Sequence, residues 1–197
     1  LRMTSGGRYT APTATRVADG WTLQPLTPPS RLFGANGLRT GPDGRLYVAQ
    51  VSGSQISAVD VTTGAVSTIS PMGGDIVAPD DLAFDDDGNL YATEITEGRV
   101  SVRSPNGQTR VLYGDMPCAN PIAFHNGRLF AGECRIGGRI LELDLHGGAP
   151  RVLLDAPGRA AADSASLASL LPQITVNGAS RPLVDPLRCY VTNDASD

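Results

Sequence analysis

Oxygen-bearing side chains recur along this chain at positions where they could bind a hard cation. Each stands just ahead of a short apolar segment, and the first three are about 40–44 residues apart. The four positions are Asn36, Asp80, Asn120 and Asn177. Carboxylate and amide oxygens suit Ca²⁺ first, and Mg²⁺ or Mn²⁺ next. We therefore predict a divalent-cation site at these residues, with Zn²⁺ as a further candidate. At any single position, an Asn or Asp could instead cap a turn by bonding to the backbone.

A second polar set stands at the end of the next apolar segment along the chain. Its members are Gln50, Glu94, Glu133 and Asp194. A carboxylate near a bound cation could take a proton from water, so Asp80, Glu94 and Glu133 are the candidate catalytic bases. The two glutamates could instead satisfy neighbouring backbone amides, and for Gln50 this structural role is preferred.

One phrase is repeated over 35–50, 79–94 and 119–133. Each copy has a polar residue, a short apolar strand, a D-G or N-G turn and a strand centred on an aromatic residue. Alternating apolar residues and turn residues predict four strands per repeat. The predicted strands are 37–40, 45–50, 55–60 and 65–69, then 99–103 and 109–113 in the second repeat, and 138–144 and 150–154 in the third.

Four antiparallel strands in a repeat of this length are typical of a propeller blade. The predicted fold class is therefore all-β, a β-propeller of four-stranded blades with about three and a half blades in this chain. The first strand of a blade lies nearest the central channel. Both polar sets should then surround one mouth of that channel, since the first and second strands are antiparallel.

The chain divides into four predicted parts. Residues 1–30 form a tail with a short strand at 21–26 that could close a ring, and 31–155 form three blades. An insertion at 156–175 carries a short helix at 160–171, and 176–197 begin a fourth blade with a strand at 187–194. Propellers have four to eight blades. We therefore expect the remaining blades to come from a longer protein or from a second chain.

Composition excludes several classes of partner and chemistry. The net charge of −4 and the absence of a Lys/Arg run argue against nucleic acid. No stretch of about 18 apolar residues and no signal peptide are present, so we expect no membrane contact and a cytoplasmic location. The three cysteines lack C-x-x-C spacing and are interpreted as core or strand thiols. His125 and His146 fall at turns away from the predicted mouth, so histidine-based catalysis lacks a candidate base.

The repeated phrases resemble the senescence-marker-protein/gluconolactonase family of regucalcin-like lactonases. The likeness covers 31–155 and, more weakly, 176–194. Its best marks are Ala35-Asn36-Gly37-Leu38 with Pro42-Asp43-Gly44-Arg45-Leu46-Tyr47-Val48, and Asn177-Gly178 with Tyr190-Val191-Thr192-Asn193-Asp194. Streptogramin lyases and other propellers share the P-D-G-x-L-Y phrase.

The resemblance implies a six-bladed propeller with a divalent cation in its channel. In that family the cation is held by a Glu of the first blade, by Asn residues of middle blades and by a late Asp that also acts as the base. Asn120 and Asn177 match the Asn positions. Asn36 stands where the Glu is expected, the late Asp would lie beyond residue 197, and Asp80 is a substitute at its own blade start.

The expected function is a divalent-metal-dependent hydrolase acting on a small lactone or ester. Two alternatives stay open. One is a lyase of the streptogramin type, which would need a histidine near the mouth. The other is a non-enzymatic propeller that serves as a binding module, in which the Asn and Asp residues only cap turns.

Overall fold

The computed structural model describes residues 17–27 and 32–155, together with the backbone of two strands at 173–176 and 179–182. Within 32–155, three four-stranded antiparallel sheets follow one another, and each runs in sequence order from its first to its fourth strand. We call them blades 1, 2 and 3. The predicted all-β propeller blades are thereby confirmed, with strand bounds within two residues of those expected.

The strand bounds are as follows. Blade 1 contains β1 to β4 at Ala35–Thr40, Leu46–Gln50, Gln55–Val59 and Val66–Ser70. Blade 2 contains β5 to β8 at Pro79–Phe84, Leu90–Glu94, Arg99–Arg103 and Thr109–Tyr113. Blade 3 contains β9 to β12 at Ala119–His125, Arg128–Glu133, Arg139–Leu143 and Arg151–Asp155. A separate hairpin pairs β13, Gln173–Val176, with β14, Ala179–Pro182.

Of the elements predicted outside the three blades, one is wrong and two lie outside the described residues. Residues 21–26 do not form the expected strand: Trp21 is 75% exposed, and Pro25 lacks the N–H that strand pairing needs. The helix expected at 160–171 and the strand at 187–194 lie outside the described residues. Among the described residues, no helix has the length and apolarity to cross a bilayer.

Neighbouring blades are joined by apolar cores that follow the period-2 alternation of the strands. Along β6, Leu90 belongs to the cluster shared with blade 1, and the next residue, Tyr91, to the cluster shared with blade 3. The ring of Tyr47 meets that of Phe84 edge to face across the first interface, with centroids 4.8 Å apart. This packing fixes the three first strands side by side.

The face of blade 3 that points away from blade 2 is exposed, whereas the matching face of blade 2 is buried. Val100 is fully buried against blade 3, whereas Ile140, its counterpart one repeat later, is 42% exposed. Ala83 is buried, and its counterpart Ala123 is exposed. Blade 3 therefore presents the surface that a blade normally uses to contact its successor.

Each blade has the same polar clamp at the edge where its first strand begins and its second ends, which we call the upper rim. In blade 2, Glu94 accepts hydrogen bonds from Ser101 Oγ, from Arg99 Nη2 at 2.8 Å and from Val77 N at 2.7 Å. Arg99 Nη2 also donates to Asp75 O at 3.0 Å, so the clamp fastens the segment that leads into β5.

The clamp recurs in the other two blades with different residues. In blade 3, Arg139 donates to Glu133 and, at 2.7 Å, to Asp115 O. In blade 1, Gln50 takes the place of the glutamate and donates to Ser57 Oγ at 2.8 Å. Gln50 Oε1 is buried without a hydrogen-bond partner among the described residues. One buried atom of the blade 2 clamp, Arg99 Nε, likewise lacks a hydrogen-bond partner among the described residues.

One carboxylate ties the first strands of all three blades together. Asp81 of β5 accepts from Arg39 Nη2 of β1 at 3.1 Å and from Ile122 N of β9 at 3.2 Å. Its other oxygen accepts from Leu82 N at 2.9 Å. Arg39 Nη2 reaches further, to Ile122 O at 3.2 Å. Asp81 is therefore the polar junction of the inner strands.

We expect the substitution Glu94→Gln to lower the free energy of unfolding by about 2 kcal/mol, because it leaves Arg99 without its buried partner. In blade 1, Gln55 stands where blade 2 has Arg99, and it donates to Ser57 Oγ at 3.3 Å. The double variant Glu94→Gln/Arg99→Gln therefore reproduces the blade 1 clamp and should recover about half of that loss. Urea unfolding of the three proteins measures both effects. A double variant no more stable than the single one would contradict the ionic clamp.

We expect Asp81→Asn to cost about 2 kcal/mol of unfolding free energy, since an amide cannot accept all three hydrogen bonds. Asp86→Asn removes the same charge from an exposed turn of the same blade and should change stability by less than about 0.5 kcal/mol. Equal effects of the two substitutions would show that charge alone, rather than the junction, is responsible.

Candidate functional site

The first polar residue of each repeat lies in a β-bulge at the upper rim. The pairing of first and second strands is regular except at one step, where the first strand has one extra residue. The irregular steps lie between Ala35 and Leu38 in β1, between Pro79 and Leu82 in β5, and between Ala119 and Ile122 in β9. A bulge redirects the side chains of its residues. Asn36, Asp80 and Asn120 thus occupy equivalent positions in the β-bulges of the three first strands.

The register also brings the two predicted polar sets together. Ala35 pairs with Gln50, Pro79 with Glu94, and Ala119 with Glu133. The residues that end the second strands therefore stand beside the bulges, as the sequence predicted. Asn177 and Asp194 lie outside the described residues.

Asn36 and Asp80 are in direct contact across the interface between blades 1 and 2. Asn36 Nδ2 donates to Asp80 Oδ1. Gly37 makes this approach possible, because a Cβ at that position would lie 2.5 Å from Asp80 O and 2.7 Å from Asp81 Cα. Asp80 is buried, while Asn36 is exposed.

The electrostatics of Asp80 leave its charge poorly compensated. Burial raises the pKa of this carboxyl, the charge of neighbouring Asp81 raises it further, and the hydrogen bond from Asn36 opposes both. Arg39 lies in the same region, but its ion pair is with Asp81. Among the described residues, no basic side chain forms an ion pair with Asp80. A cation at this position would offset the cost of burying the carboxylate.

Asn120 lies at the third bulge and is half-buried. Within the described part of the chain, its side-chain amide makes no hydrogen bond to protein. Its oxygen is therefore free to contact a ligand at the mouth.

Glu94 and Glu133 are buried and already engaged in the clamps. Both carboxylate oxygens of Glu133 accept hydrogen bonds from Arg139, from Nε at 3.0 Å and from the backbone N at 2.9 Å. Burial alone would raise the pKa of Glu133, but these hydrogen bonds and the charges of Arg139 and Arg135 outweigh it and lower the pKa. This geometry favours the structural role for the two glutamates over that of a base.

Both histidines of the chain lie at the opposite edge of the blades. His125 ends β9 beside its hairpin turn, and His146 lies in the turn between β11 and β12; both are exposed. Near His146, a groove of about 630 Å³ runs between blades 2 and 3. Its Tyr91 hydroxyl donates to Asp85 Oδ2 at 2.8 Å, so those groups serve the hairpin itself.

The donor set at the upper rim fits a hard cation only in part. The described residues contain no group of three or more His, Cys, Asp or Glu side chains that could hold a metal. The candidate ring offers one carboxylate, from Asp80, and the amide oxygens of Asn36 and Asn120. These are ligands that Ca²⁺ accepts, and it completes its shell readily with water or backbone carbonyls. The sequence reasoning missed Asp81 and Arg39, although the Asp-Asp pair at the second bulge was a visible signal.

No protein-family model matches this sequence, and no curated protein matches it. Solved structures do match in fold. A chain of the nidogen/laminin complex gives a TM-score of 0.56 at 22% identity, over 62% of this chain and 49% of that chain. A catalytically inactive virginiamycin B lyase from Staphylococcus aureus with quinupristin gives 0.53 at 18% identity, over 64% and 42%.

A gluconolactonase from Xanthomonas campestris gives a TM-score of 0.55 at 12% identity, over 63% of this chain and 50% of that chain. The chain thus spans half or less of the length of these structures. Identities this low carry the fold and nothing beyond it. The chain is part of a β-propeller, similar in fold to gluconolactonases and streptogramin lyases.

Proposed function

We propose that this chain is part of a propeller hydrolase that uses a divalent cation, Ca²⁺ first, to cleave a small lactone or ester. The observation that carries the proposal is the buried Asp80 carboxylate, which lies in a bulge at the channel mouth without a basic partner among the described residues. Buried carboxylates in proteins are paired or bind metals. The similarity in fold to a gluconolactonase agrees with this reaction class.

Each residue at the mouth has a distinct task in the proposed reaction. A bound divalent cation would polarise the substrate carbonyl and lower the pKa of a water molecule. Asp80 would supply the charged ligand, and the amide oxygen of Asn120 a neutral one. Asn36 would orient Asp80 through its hydrogen bond to Oδ1. Asn177 stays a predicted ligand.

The base that takes the proton from water is a separate question. Glu94 and Glu133 were candidates, but their oxygens accept hydrogen bonds within the clamps. Asp80 has the raised pKa that suits a base, yet a carboxylate bound to the cation has little proton affinity left. We therefore assign Asp80 to the cation and expect the base from a blade beyond those described.

Two other functions remain in competition. A lyase of the streptogramin type would need a histidine at the mouth, and both histidines of this chain lie at the opposite edge. A non-enzymatic binding module agrees with the similarity in fold to a chain of the nidogen/laminin complex. The module would leave Asn36 and Asn120 in structural roles, but it offers no cationic partner for the buried Asp80 carboxylate.

The proposed site requires a closed ring, which three blades cannot form. The exposed face of blade 3, with Ala123 and Ile140, is the surface that a further blade would cover. We propose that further blades, or a second chain joined at this face, complete the channel.

We expect Ca²⁺ in large excess to raise the Tm of the protein by roughly 5–10 °C, because binding to the native state at 100 times Kd contributes about 2.7 kcal/mol. Asp80→Asn should abolish the rise, and Asp86→Asn should preserve it. Thermal unfolding with Ca²⁺ and with EDTA measures both. Hydrolysis of a simple lactone should depend on the same cation. An equal rise in Asp80→Asn, or full hydrolysis after chelation, would rule the site out.

If a second copy closes the ring, light scattering should give a mass of twice the 20.5 kDa of one chain. Ile140→Asp places a charge on the exposed face of blade 3 and should shift the population to monomer. The control is Val61→Asp. Val61 is an exposed apolar residue in the turn between β3 and β4 of blade 1, and its substitution should leave the mass unchanged. A monomeric wild-type protein would contradict closure by a second copy.

A further inference from the structure

We propose that Cys118 and Cys134 form a reversible disulfide across the upper rim of blade 3 when the protein meets a small disulfide such as oxidised glutathione. Cys134 N donates to Cys118 O at 2.8 Å, one step beyond the pair formed by Ala119 and Glu133. Because this hydrogen bond joins the two backbones, the Cα atoms of the two cysteines lie less than about 7 Å apart, which is within reach of a disulfide.

The other blades show that the fold does not require cysteine at this pair. In blade 1 the same hydrogen bond runs from Val51 N to Gly34 O at 3.0 Å. In blade 2 the corresponding residues are Ala78 and Ile95. The backbone is otherwise alike, since Gly34, Ala78 and Cys118 all have positive φ, at 65°, 44° and 56°.

The chemistry of both thiols suits exchange with a soluble disulfide. The chain has three cysteines, and this backbone hydrogen bond joins two of them; Cys189 lies outside the described residues. Cys118 and Cys134 are both partly exposed and free. A buried thiol would be inert, whereas these two can be reached from solvent.

The exchange proceeds in two balanced steps. The thiolate of one cysteine attacks a sulfur of oxidised glutathione, which forms a mixed disulfide and releases one glutathione. The thiolate of the second cysteine then attacks the protein sulfur of the mixed disulfide, which forms the Cys118–Cys134 bond and releases the second glutathione. Two protein thiols are oxidised, and one glutathione disulfide is reduced to two thiols.

The bond would join two segments that border the channel mouth. Cys118 lies two residues before Asn120, and Cys134 follows the clamp residue Glu133. Oxidation would therefore fix the segment that enters β9 to the segment that leaves β10. This holds whether or not the protein is a hydrolase, because it depends only on the backbone pairing and on the two thiols.

The test treats the folded protein with oxidised glutathione and counts free thiols after denaturation. Wild type should lose two of its three thiols, and trypsin should release residues 111–128 linked to 129–135 until a reductant separates them. The oxidised protein should gain roughly 5 °C in Tm. Cys189→Ser should behave as wild type.

The matched variants take their residues from the chain's own repeats. Cys118→Ala copies blade 2, and Cys134→Val copies blade 1, so neither should disturb folding. Each should abolish the linked peptide and the gain in Tm. A linkage to Cys189, a glutathione adduct that never resolves, or intact thiols in the folded wild type would each overturn the proposal.

Discussion

The carboxylate of Asp81 is the contact on which the arrangement of the three blades depends. It accepts a backbone amide from its own strand, another from β9, and the guanidinium of Arg39 from β1. Inner strands of a propeller do not hydrogen-bond to each other as a sheet, so polar groups at the channel need partners of this kind. The apolar cores on either side then set the spacing of the blades. Because Asp81 shares a bulge with Asp80, the junction also decides where the candidate ligand lies.

Repetition of the blade makes departures from the repeat informative. The residue that ends the second strand is Gln50, Glu94 or Glu133, and in each blade its side chain hydrogen-bonds to the third strand. Because the residue at this position has the same role in every blade, that role is structural. Asp80 departs from the pattern, because its counterparts Asn36 and Asn120 are neutral. Function is expected where the repeat is broken in this way, since the fold alone gives no reason for the change.

The charge at Asp80 is the reason for placing the proposed chemistry at the mouth. Burial and a neighbouring carboxylate both raise its pKa, and one amide hydrogen bond is a weak compensation. A protein tolerates such a group when a cation, a substrate or a proton balances it. The glutamates, by contrast, are balanced by Arg99 and Arg139. The same rim therefore carries two kinds of buried carboxylate. Glu94 and Glu133 are ion-paired, and Asp80 has no basic partner among the described residues.

The sequence by itself determined the repeat, the strands of the three blades and the rim to which their polar residues belong, because period-2 alternation and turn residues are local signals. It also placed both histidines at the opposite edge. Only the tertiary structure decided which of the polar residues are already engaged in hydrogen bonds and ion pairs with other parts of the protein. Whether Glu94 is a base or a clamp depends on Arg99, Ser101 and Val77, and these meet it only after the sheet forms and the preceding segment folds back. The same holds for Asp81, Cys118 and Cys134: the residues themselves are visible in the sequence, but their partners lie in other strands or blades.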